Sequence, residues 1–169
     1  NPVRENFKFA GWDKSFNEVT SDLVVTATYI TTKTVIYAER VSVDKGTKQA
    51  KVDIRVINNP GILGAVLKVF VDNKALVFDS ASKTKFPGLT LTSPGSAAAS
   101  SPYTFMLDAL ELTSNDKKDG TLFTVTFNVN DSAAKGKYNV TLAFDKGAIF
   151  DENLKDAGVV LENGSVTIK

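Results

Sequence analysis

In Leu122 to Asn130, LFTVTFNVN, apolar and polar residues alternate without a break from Phe123 onward. Phe123, Val125, Phe127 and Val129 fall on one side of an extended chain, and Thr124, Thr126 and Asn128 on the other. Successive side chains of a strand point to opposite faces, so this period reads as a half-buried strand. The pattern recurs: Ala50, Val52, Ile54 and Val56 alternate with Lys51, Asp53 and Arg55, and Tyr138, Val140, Leu142 and Phe144 form another inward set. Asp44-Lys45-Gly46, Asn58-Asn59-Pro60-Gly61, Lys135-Gly136-Lys137 and Glu162-Asn163-Gly164 punctuate these runs as turns. Further strands are expected at Val35 to Val43 (with an irregularity at 38–40), Leu76 to Phe78, Leu89 to Thr92, Tyr103 to Leu110, Val159 to Leu161 and Ser165 to Ile168. No stretch offers a helix of about ten residues. From Val35 onward this makes roughly nine strands with turn signals every 8 to 15 residues or so, the pattern of an all-β sandwich.

One run breaks the half-buried rule. Within Gly61 to Leu76, the residues Ala65, Leu67, Val69 and Val71 supply a core face, yet Val66 and Phe70 make the opposite face apolar too, with Lys68 between them. Tyr103 to Leu110 behaves alike: Tyr103, Phe105, Leu107 and Ala109 on one side, Met106 and Leu110 on the other. A second apolar face needs a cover, either a partner protein or residues 1–30 of the same chain.

Composition removes whole classes of chemistry. Among 169 residues there is no His and no Cys. No Ser-His or Cys-His nucleophile can be built, and Cys/His zinc sites are excluded. A net charge of +1 gives no footprint for nucleic acid or an anionic membrane surface, and no apolar run is long enough to span a bilayer. Asn115, Asp116, Asp119 and Gly120 lack the spacing and terminal Glu of an EF-hand loop, and with Asp151-Glu152-Asn153 are read as solvated loops, Thr113 to Gly120 having room for one helical turn. Asn139-Val140-Thr141 and Asn163-Gly164-Ser165 match the glycosylation sequon, a pattern common by chance. The chain starts at Asn1-Pro2 and reads as a piece of something longer.

Residues 1–32 differ from the rest. Phe7 to Trp12 and Leu23 to Tyr29 are strand candidates joined by a polar loop, a short N-terminal β ribbon that is marginal on its own. FAGWDKSFNEVTSDLVVTATY resembles the C-terminal half of the InlB B-repeat (Listeria–Bacteroides repeat), through Gly11-Trp12 and Thr26-Ala27-Thr28-Tyr29. The N-terminal strand of such a repeat is missing, and a linker with β character is the alternative.

Residues 33–169 resemble the cohesin domain of cellulosome-type scaffoldins. Asn58-Asn59-Pro60-Gly61 leading into GAVLKVFVD, then YTFMLDA, DGTLFTVTFNV and ENGSVTI, carry the resemblance in that order. It implies a nine-stranded sandwich of jelly-roll topology and a non-enzymatic role: binding a calcium-loaded dockerin on an enzyme or another scaffoldin, outside a bacterial cell or on its surface. The calcium would belong to the dockerin, leaving this chain without a cofactor and monomeric. The resemblance places the partner on Gly64, Val66, Lys68 and Phe70, on Met106, Asp108 and Leu110, and on Leu91 and Leu154. Gly64 and Val66 stand where better-known cohesins carry polar groups such as Asn and Asp, so a more apolar contact surface is expected. The alternatives are a carbohydrate-binding module of sandwich type, which would present exposed planar aromatics, and a structural surface or adhesin domain.

Overall fold

The structure, a computed structural model, describes residues 2–4, 7–31, 33–95, 100–145 and 147–169, with no side chain for residue 115. The chain divides into two compact units, Asn1–Lys33 and Thr34–Lys169.

The first unit is a two-stranded antiparallel ribbon of β1 (Lys8–Trp12) and β2 (Ala27–Ile30). Strand β2 is shorter than the alternation from Leu23 suggests; Leu23 and Val24 are exposed and lie outside it. The register slips at Gly11, whose φ of +144° suits glycine, and the Thr28 hydroxyl donates to the Gly11 carbonyl at 2.8 Å. Phe9 packs edge-on against Trp12 and Tyr29, and Trp12 against Phe16.

The second unit is a two-sheet β-sandwich of jelly-roll type. It contains β3 (Val35–Ala38), β4 (Arg40–Val43), β5 (Gln49–Ile57), β6 (Ile62–Phe70), β7 (Leu76–Ala81), β8 (Thr90–Thr92), β9 (Tyr103–Asp108), β10 (Gly120–Val129), β11 (Gly136–Ala143), β12 (Ile149–Asp151), β13 (Val160–Glu162) and β14 (Gly164–Ile168). One sheet runs β13-β3-β5-β10-β7; the other runs β4-β14-β11-β6-β9-β8, with β12 also paired to β6. The inward rows meet between them: Val52, Ile54, Phe123, Val125 and Phe127 from the first sheet, Ala65, Leu67, Val69, Phe105, Leu107 and Val140 from the second. Phe105 and Phe123 stack across the gap with ring centroids 5.0 Å apart.

The structure holds more strand segments than the nine expected because one expected strand is divided between the two sheets and the loop before the last two strands contains another. The irregularity at 38–40 divides one expected strand into β3 and β4, which belong to different sheets. The last two strands do the same around Asn163, so β13 runs parallel beside β3 and β14 parallel beside β4. A Cβ on Gly164 would collide with the carbonyls of Ala38 and Glu39, so the two crossings pass each other only where a side chain is missing. The expected loop from Asp145 to Gly158 contains β12, and β7 extends to Ala81.

Candidate functional site

Strand β6 lies inside its sheet, flanked by β9 on one edge and by β11 and β12 on the other. Its two rows separate as the parity of its sequence demands: Ala65, Leu67 and Val69 are buried, while Val66 and Lys68 are half-buried and Phe70 is 39% exposed. Opposite residues in an antiparallel pair share a face. Val66 faces Met106, Lys68 faces Thr104, and Gly64 faces Asp108. On the other edge Phe70 faces Thr141 and Lys68 faces Ala143. The outer surface therefore carries Val66 and Met106 at its centre and Phe70 at one end, Met106 being 48% exposed. Lys68 is tied down on it, its ammonium donating to both oxygens of Asp145 at 3.1 and 2.8 Å.

Two leucines stand at one end. Ala109 N–H still bonds the Leu63 carbonyl, extending the ladder past Asp108, and the next residue, Leu110, is fully exposed. Asp151 of β12 pairs with Ile62 at that same end of β6, and Leu154, in the turn that follows, is 73% exposed. Phe70 marks the opposite end, about 26 Å away along the strand at about 3.3 Å per residue. Among the described residues of this unit, Phe70, Met106, Leu110 and Leu154 are the exposed large apolar side chains.

Two expected members sit differently. Leu91 pairs with Leu107, so it shares the inward face and packs against the core; its neighbours Thr90 and Thr92 are exposed beside Asp108 and Met106. A three-residue strand has too few alternations to fix its register from sequence, and a slip of one reverses its faces. Gly64 is covered: a Cβ there would run into the Phe150 ring, which pairs opposite it on β12. Phe150 takes the place of Gly64 on the outer surface. The available signal was the glycine itself, since a glycine inside a strand often marks the close approach of another group.

The candidate metal loop is a hydrogen-bonded knot. The 3-10 turn Ser114–Lys117 places Asp116 fully inside the protein, where its carboxylate accepts from Gly88 N–H at 2.8 Å, Thr113 N–H at 2.8 Å and the Thr113 hydroxyl at 2.6 Å. Burial alone would push this carboxyl up; the bonds from Thr113 and Gly88 outweigh it and hold it below the ordinary aspartate value. Asp119 accepts from Asn59 N–H at 3.1 Å, and the Asn59 amide donates to the carbonyls of Asp116 and Lys118. The Asn115 side chain lies outside the described residues. Among the described residues no group of three or more carboxylates gathers as a metal site. Nor is any helix there long and apolar enough to cross a membrane.

The sequence matches no family model and no curated protein. Solved structures do match. The sixth cohesin of Acetivibrio cellulolyticus scaffoldin B, in complex with a Cel5 dockerin variant, superposes with a TM-score of 0.66 at 19% identity, over 81% of this chain and 99% of that one. A type I cohesin–dockerin complex from Clostridium thermocellum gives 0.66 at 17%, again over 81% and 99%. A non-cellulosomal cohesin from the archaeon Archaeoglobus fulgidus gives 0.64 at 19%, over 81% and 91%. The matched share is about what Thr34–Lys169 makes up of the chain. At these identities the likeness is one of fold, and the fold is that of cohesin domains.

Proposed function

We propose that this chain is a non-catalytic cohesin module that captures a calcium-loaded dockerin, and so anchors an enzyme or another scaffoldin in an extracellular or cell-surface polysaccharide-degrading assembly of a bacterium. The observation that carries the reading is the apolar strip of Phe70, Val66, Met106, Leu110 and Leu154 on and beside a preformed sheet face. Several of the matching structures are cohesins in complex with dockerins. A flat face with a few apolar anchors and a rim of threonines and charges has the make-up of a protein interface rather than of a sugar site. In this reading the partner-binding residues are Val66, Lys68, Phe70, Met106, Asp108, Leu110 and Leu154, with Phe150 lying over Gly64. The N-terminal ribbon is proposed as a partial B-repeat-like segment or linker preceding the module.

Calorimetry against a panel of dockerins, with calcium and with chelator, tests this. Binding that disappears with chelator is expected. Val66→Asp should weaken it about 30-fold or more, because a carboxylate would be buried without a partner. Its thermal midpoint should stay near that of the parent. Retention on polysaccharide without binding to any dockerin overturns the reading.

A further inference from the structure

Where the link from β7 to β8 meets the link from β9 to β10, the sandwich has an open cleft of about 430 Å³. Sites for small ligands fall in a range of roughly 300–1,000 Å³. One wall is Lys85, Phe86 and Pro87; the other runs from Lys118 to Thr121. Both walls are set before any ligand arrives. Phe86 to Leu89 is a β-turn with Pro87 in its second place, where the fixed φ of proline suits it. Leu89 N–H donates to the Phe86 carbonyl at 3.1 Å, and the Thr84 hydroxyl accepts from Phe86 N–H at 3.0 Å. Gly88 N–H is held by the buried Asp116. Asn59 fixes the other wall: its N–H donates to Asp119 and its side-chain amide to the Lys118 carbonyl. Gly120 brings no side chain between them; a Cβ there would stand 3.7 Å from the buried Phe86 ring.

The chemistry of the walls narrows the ligand. Lys85 and Lys118 bring two exposed ammonium groups, with Asp119 as the carboxylate beside them. Lys85 has no ion-pair partner among the described residues. Phosphate groups commonly sit on backbone N–H groups; here those of Gly88 and Asn59 are already taken by Asp116 and Asp119. An extended peptide needs a sheet edge or a long groove, and this cleft lies between two loops. Pro87 offers a flat aliphatic ring at the surface, and Asp119 an acceptor for hydroxyls. We propose that the cleft is a second binding site, for a uronate residue of an acidic polysaccharide: its carboxylate meets the ammonium groups of Lys85 and Lys118, its ring lies on Pro87, and a ring hydroxyl donates to Asp119. Ion pairs at exposed lysines are weak, so one short chain binds loosely and a long one gains by presenting many uronates. None of these residues belongs to the face proposed for the dockerin, so the site goes beyond that reading and stands without it.

Titration of the full chain with trigalacturonate, followed by amide chemical shifts, tests this. Saturation with a Kd of about 1 mM is expected, with the signals of Lys85, Gly88 and Gly120 moving most. Lys85→Gln should weaken binding about fivefold, the upper end for an exposed ion pair. Lys137→Gln removes the same charge from β11 and should bind as the parent does. Absence of saturation below about 10 mM overturns the proposal. Equal binding of the neutral galactotriose, or an equal loss in Lys137→Gln, overturns it as well. Tighter binding of triglutamate would make the cleft an acidic-peptide site and overturn the assignment to a sugar.

Discussion

The two outer faces of this sandwich spend their side chains in opposite ways. On the five-stranded sheet the outward row of β5 is Gln49, Lys51, Asp53 and Arg55, beside Thr124, Thr126 and Asn128 of β10. Most of these groups satisfy one another or a neighbour. Asp53 accepts from the hydroxyls of Thr121 and Thr124 at 3.0 and 2.6 Å, Arg55 bonds Glu39 at 2.9 Å, and Asn128 bridges Gln49 and Asp79. The seven-stranded sheet instead exposes Phe70 and Met106 at its surface and Leu110 at its rim, which find no such internal use. A polar face whose donors and acceptors are already matched gains little from a partner. An apolar face in water gains about 25 cal/mol for each square ångström covered.

The largest expected effect contrasts the inner and outer faces of the seven-stranded sheet. Leu67→Ala empties a fully buried position between the sheets and should cost about 2–5 kcal/mol in denaturant unfolding. Met106→Ala, on the outer row of the neighbouring strand, should change stability by under about 0.5 kcal/mol. Comparable losses for the two would mean that the outer face is internal packing, and the contrast between the faces would fail.

Next in size is Asp116, in the loop that links β9 of one sheet to β10 of the other. Asp116→Asn exchanges a buried, charge-assisted acceptor for a neutral amide and should cost about 2 kcal/mol at neutral pH. The carboxyl is held below its ordinary value of 3.8, so its contribution is fully present above that value and is lost as pH falls through the lower folded value. Thermal midpoints of parent and Asp116→Asn should therefore converge below about pH 4. A constant gap would assign the loss to packing alone.

How far the sequence disclosed this arrangement depended on how many alternations each element had. The ten-residue β10 and nine-residue β5 and β6 declare their inward rows by parity, because a period of two repeated four times admits one register. Phe70, Met106 and Leu110 were legible as outward for the same reason, whereas Leu154 was reached only through the family resemblance. The three-residue β8 and β12 were not legible by parity. Leu91 turned inward, and Phe150 emerged on the outer surface only because β12 pairs against Gly64, a long-range event with no local signature. Asp116 was read as solvated because a run of polar residues does not reveal that three protein donors converge on one of them.

On the polar face, Asp53→Ala should cost about 1–2 kcal/mol by leaving the hydroxyls of Thr121 and Thr124 without their acceptor. Dockerin affinity should remain within about twofold of the parent, well short of the tenfold that 1.4 kcal/mol represents. A larger loss of binding would place part of the interface on the five-stranded sheet and dissolve the distinction between the faces.

The smallest effect concerns the ion pair on the apolar face. Lys68 and Asp145 form an exposed pair, worth about 0–1 kcal/mol to the fold, so neither Lys68→Gln nor Asp145→Asn should move the midpoint appreciably. Their effect should fall on association. Lys68→Gln leaves Asp145 uncompensated and makes the face more negative; Asp145→Asn makes it more positive. For a charged partner surface of either sign, the two variants should shift the dockerin association rate in opposite directions, with the double variant returning near the parent. At about 1 M salt, where screening acts over about 3 Å, the differences should collapse. Opposite shifts that vanish with salt would make the pair a source of field over an apolar contact surface. Two shifts of the same sign that persist in salt would make Lys68 and Asp145 direct contacts, and the face more polar in its energetics than its exposed side chains suggest.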